Sequence, residues 1–167
     1  MRRLIHGALV GRATLVSAAA AAILAMPARA QDHPHPAGDE AKLGKVEFPV
    51  SCSDAVRPQF ERAVAMLHSF WFESAKGAFT SIIDAEPACA MAHWGVAMTM
   101  LGNPMTRATP SAAALEEGAA ASARALELGK AASHREQMYI DAVAAYYADY
   151  RTRDHMARMA SLEQAFA

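Results

Sequence analysis

The chain predicts an all-α fold built from a repeated helical unit, and three observations carry that prediction. Alanine is abundant while prolines fall near the ends of apolar-periodic segments, a pattern that favours helix over strand. Apolar residues recur at three- and four-residue spacing, as in Phe60, Ala63, Val64 and Leu67. That quartet returns as Trp94, Ala97, Met98 and Leu101, 34 residues later, and as Tyr139, Ala142, Val143 and Tyr146, 45 residues after that. Recurrence of this kind marks stacked units, each covering its neighbour's apolar face.

The first 30 residues stand apart from this pattern. Early arginines precede an apolar run from about Ala13 to Met26, and Ala28-Arg29-Ala30 is a small-x-small cleavage signal, the layout of a secretory signal peptide. The run is short for a membrane span, and a polar segment follows it. Cleavage after Ala30 would leave a periplasmic or secreted protein with no integral membrane span. Four of the 16 basic residues and none of the 17 acidic ones lie in the signal, so residues 31–167 carry a net charge of −5. That balance, with no basic cluster, argues against a nucleic-acid partner. Residues 31–52, rich in Pro, Gly and charge, read as a disordered or extended leader.

The helical region, 53–167, divides at its punctuation. Helix α1 is expected over about 54–68 and α2 over about 73–84. Pro87 ends α2 and opens α3, about 88–101, at a position where its missing N–H costs little. Gly102-Asn103-Pro104 ends α3. Thr109 and Pro110 read as N-cap and first residue of α4, about 111–128, with Gly129 at its C′ position. Ser133-His134-Arg135-Glu136 is a capping box for α5, about 134–148. Helix α6 runs from about 154 to the end.

The 34-residue period, with Ala75-x3-Phe79 and then Pro87 between the first two copies, resembles the tetratricopeptide repeat family. The resemblance implies antiparallel helix pairs stacked as a short right-handed solenoid, about two and a half repeats. A narrower likeness is carried by "LHSFWFESAKGAF" and "AEPACAMAHWGVAMTMLGNP". They are similar to the opening of a group of long bacterial exported tetratricopeptide proteins, over about Pro49 to Tyr147. Ala85-Glu86-Pro87 stands where that group usually has Asp-Pro. This likeness implies no defined catalytic activity, and it implies further repeats. Met156, Met159, Ala160 and Phe166 form an apolar stripe on α6 that a further repeat would cover, so the sequence is expected to be the N-terminal portion of a longer protein. Alone it should fray after about Tyr150 and associate through that stripe.

Cys89 and His93, four apart on one helix, raise the question of a metal site. They supply two ligands where a structural zinc site needs four. In repeat register His68 lies nine residues further along than His93, roughly 13 Å at 1.5 Å per residue. Cys52 is the better partner for Cys89. An even cysteine count in an exported chain favours a disulfide, and repeat register places both residues near the starts of neighbouring helices. His33 and His35 in "QDHPHP" could form an N-terminal copper or nickel cage after cleavage, though cyclisation of Gln31 would remove the free amine. Met66, Met91, Met98, Met100, Met138, Met156 and Met159 read as core filler, as do Trp71, Tyr146 and Tyr147. Glu116-Glu117 reads as a solvated face.

No nucleophile motif, phosphate loop or triad is present, and no enzymatic activity or cofactor is expected. The expected function is a non-catalytic scaffold that holds another polypeptide, a peptide or helix, on a concave face. Gln59, Arg62, His93 and Gln137 are candidates to line it. The alternative is a periplasmic copper- or haem-handling protein using its His, Met and Cys side chains.

Overall fold

A computed structural model describes residues 43–167. The expected signal peptide and its cleavage site, with His33 and His35, lie outside the described residues. The described chain is all-helical: α1 Arg57–His68, α2 Phe72–Ala85, α3 Ala90–Thr99, α4 Ala112–Leu128, α5 His134–Tyr147 and α6 His155–Phe166, with a short 3-10 turn, Gly129–Ala131, after α4. No helix among the described residues is long and apolar enough to cross a membrane.

Consecutive helices pack in order, and the odd-numbered ones also pack on one another, α1 on α3 and α3 on α5. The repeated quartets make these contacts. Phe60, Ala63, Ala97, Ala142 and Tyr146 are fully buried, with Phe79, Ile82 and Met91 filling the space behind them. Small residues let the backbones approach closely. A Cβ on Gly95 would lie 2.4 Å from the Phe79 ring, so α3 can sit against α2 only with glycine there.

Several boundaries differ from expectation for identifiable reasons. Helix α1 starts at Arg57, not near 54, because Pro58 has no N–H to donate to residue 54 and is tolerated only in the first turn. Helix α3 starts at Ala90; Cys89 is its N-cap in extended conformation, with its sulfur committed to a disulfide. The N-cap of α4 is Ser111, not Thr109: its hydroxyl accepts from the Ala114 N–H at 3.1 Å. Gly129 is right-handed, φ −68°, and does not form a left-handed cap. Packing is close there: a Cβ would lie 2.7 Å from Ile140 Cδ1, so the end of that side chain would have to shift. The capping box on Ser133 and Glu136 is present as expected.

The turn between α1 and α2 is a Schellman motif without glycine. Phe70 N–H donates to Leu67 C=O and Trp71 N–H to Met66 C=O, while Phe70 takes φ 61°. A bulky residue in the left-handed region costs about 1–2 kcal/mol. Phe70 accepts that strain with its ring half exposed, on the rim of the cleft described below.

Candidate functional site

The face made by the odd helices carries one large aromatic from each: Phe60 from α1, Trp94 from α3, Tyr139 from α5. It is not bare. Residues 43–52 are extended, as the composition predicts, but they belong to the domain: Leu43, Val46 and Phe48 pack against the core, and Val50 and Cys52 are buried in it. The Phe48 ring lies 5.7 Å from Phe60, 6.0 Å from Trp94 and 5.3 Å from Tyr139, centroid to centroid. Such separations are those of favourable offset and edge-on ring contacts.

Polar groups on the same helices hold this strap by its backbone. Phe48 N–H donates to Glu61 Oε1 at 3.3 Å. The Arg135 guanidinium donates to the Pro49 carbonyl and lies 4.9 Å from the centre of the Phe48 ring. Arg135 and Tyr139 are four apart on α5, so one helix face supplies both the cation and the ring. Ser51 donates its N–H to Glu136 Oε1 at 2.7 Å and its hydroxyl to Glu136 Oε2.

Glu136 therefore does two jobs. It accepts from the Ser133 N–H at 3.0 Å and hydroxyl at 2.6 Å as the capping-box acid of α5, and it anchors the strap through Ser51. Burial pushes its carboxyl pKa up, but the hydrogen bonds from Ser133 and Ser51 outweigh burial and hold it below the usual carboxylate range. Just beyond, Ser53 donates its N–H and hydroxyl to Glu86, at 3.1 and 2.5 Å. Cys52 is bridged to Cys89 with their Cα atoms 5.2 Å apart.

The residues singled out from sequence divide. Cys52 and Cys89 meet and pin the strap to the start of α3. His93 does not face the strap: its Nε2 lies 3.2 Å from the Pro87 carbonyl, and burial, with Arg124 of α4 nearby, lowers its pKa. Gln137 is spent on the α4–α5 connection, donating to Ala132 C=O at 3.0 Å. Arg62 is exposed and Gln59 half-buried. No group of three His, Cys, Asp or Glu side chains that could hold a metal occurs among the described residues. Met66, Met91 and Met100 fill the core, whereas Met138 and Met156 are exposed and do not. Glu116 and Glu117 lie on an exposed face, as expected, where Glu117 pairs with Lys76 Nζ of α2 at 2.7 Å.

Phe48, Glu61 and Arg135 were missed as site residues. The available signal was an aromatic residue beside proline in an otherwise polar leader. A second feature is an apolar cleft of about 510 Å³ between the α1–α2 turn, the end of α3 and α6, lined by Leu67, Phe70, Met98, Leu101, Met159 and Leu162. Compared with known proteins, the chain matches no family model, no curated protein and no solved structure.

Proposed function

We propose that this is an exported, non-catalytic scaffold of tetratricopeptide type, whose paired helices stack as a solenoid and hold another polypeptide on the odd-helix face. The observation that supports this reading is the strap itself. Three helices of the repeat converge on an extended piece of polypeptide, binding its amides and carbonyls through Glu61, Arg135 and Glu136 and its aromatic side chain in a cage. Held backbone plus a pocketed side chain is a recurring way of recognising peptides. The 34-residue spacing and the exported character of the N-terminus support the same reading.

The test is in-cell cross-linking followed by purification and peptide mass spectrometry. Cross-links from α1, α3 and α5 to one recurrent protein are expected. Cross-links confined to the even helices, or none above background, would refute the reading. Stoichiometric copper or haem retained through a chelator wash would instead favour the metal-handling alternative.

A further inference from the structure

The contacts that hold the strap fall into two classes. Glu61, Arg135 and Glu136 bind main-chain groups at Phe48, Pro49 and Ser51, and Glu136 also takes the Ser51 hydroxyl. The rings of Phe60, Trp94 and Tyr139, with the Arg135 cation, surround one side chain and select an aromatic. Proline fits directly after it. Its missing N–H leaves no donor unsatisfied, its carbonyl meets Arg135, and it biases the preceding residue towards the extended backbone the face requires.

The strap's attachment is lopsided. Its C-terminal end is fixed by the Cys52–Cys89 bridge, by Ser51 on Glu136 and by Ser53 on Glu86. Residues 43–50 have no helix and no strand partner. Their release would give up the Phe48 and Pro49 contacts and the burial of Val50, but would not break the bridge.

We propose that the odd-helix face is a receptor for an extended segment of a partner protein bearing an aromatic residue followed by proline, and that Phe48-Pro49 is its resident occupant in cis. This rests on the scaffold reading above and names what the scaffold holds. The short tether keeps the resident segment at an effective concentration in the millimolar range. An incoming segment sees an affinity reduced by the fraction of molecules whose face is open.

The test uses the full chain and a fluorescent peptide of residues 43–51, followed by anisotropy. The Phe48→Ala variant, with its cage vacated, is expected to bind the peptide at least tenfold more tightly than the unaltered protein. A peptide itself carrying Phe48→Ala should lose at least tenfold in affinity for that variant. Should Phe48→Ala not fold, by circular dichroism, Phe48→Leu leaves an aliphatic occupant that an aromatic outcompetes, and a gain of at least threefold over the unaltered protein is then expected. A folded variant that binds no more tightly than the unaltered protein, or that takes the alanine peptide equally well, overturns the proposal. So does an unaltered protein that is a dimer and is dissociated by the peptide, for the occupant is then a second copy. Failure here alongside in-cell cross-links from the odd helices rejects the aromatic–proline preference and leaves the scaffold standing.

Discussion

Glu136 joins the cap of α5 to the strap through one carboxylate. Its carboxylate is 1% exposed and takes four hydrogen bonds, two for the cap of α5 and two for the strap. A carboxyl whose pKa is lower folded than unfolded stabilises the fold above the unfolded value, and that contribution disappears as pH falls through the folded one. Urea denaturation should therefore show stability falling below about pH 4. Glu136→Gln should flatten that fall and cost roughly 2–3 kcal/mol at pH 7, as hydrogen bonds to a charge are lost. An unchanged pH profile in the variant would show that other carboxylates govern acid stability. Arg158 presents the opposite case. It is 1% exposed, its guanidinium lies 4.7 Å from the centre of the Tyr146 ring, and it has no carboxylate partner among the described residues. A cation–π contact returns about 1–2 kcal/mol, less than burying a charge costs. Arg158→Met keeps the apolar stem and should leave thermal stability unchanged or raise it. A loss of more than about 2 kcal/mol would mean the cation contributes more than this balance allows.

At the scale of elements, helix contacts are set by small residues against fixed large ones. Gly118 of α4 faces Tyr147 of α5; a Cβ there would lie 2.1 Å from the Tyr147 hydroxyl oxygen. Tyr147 cannot swing aside freely, because its hydroxyl donates to the Ala97 carbonyl of α3 at 2.8 Å, in a burial that raises the phenol's pKa. Helix propensity favours alanine over glycine by about 1 kcal/mol, and overpacking costs about 1–3 kcal/mol. With the neighbour held, overpacking wins: Gly118→Ala should lower stability in a thermal melt. A rise would mean Tyr147 gives way cheaply. The disulfide ties two elements across a sequence separation of 37. In the chain-entropy account such a bridge contributes about 4 kcal/mol. Replacing both cysteines with serine should lower unfolding free energy by most of that. Two alkylatable thiols in freshly isolated protein would contradict the bridge itself.

For the whole molecule, what the sequence made legible follows from how local each signal is. Helix existence was readable because Phe60, Trp94 and Tyr139 recur with their companions, and periodicity is a property of neighbouring residues. The capping box was readable because its partners are three apart. The α1 start was misplaced because Asp54 and Ala55 look helical until the interior cost of Pro58 is counted. The strap was not readable as a bound element, because extended segments carry no period and its partners, Glu61, Arg135 and Glu136, are 13 to 86 residues away. The second role of Glu136 was hidden behind its local one. These distant contacts make the strap and the odd helices one unit, with the aromatic from each repeat unit facing the same extended segment. Hydrogen–deuterium exchange resolved to single amides tests that unit most directly. If the odd-helix face holds extended polypeptide as described, the Phe48 and Ser51 amides, hydrogen-bonded to Glu61 and Glu136, should exchange at least a hundredfold more slowly than a free chain. Exchange of both at the free-chain rate, with α1, α3 and α5 still protected, would contradict it.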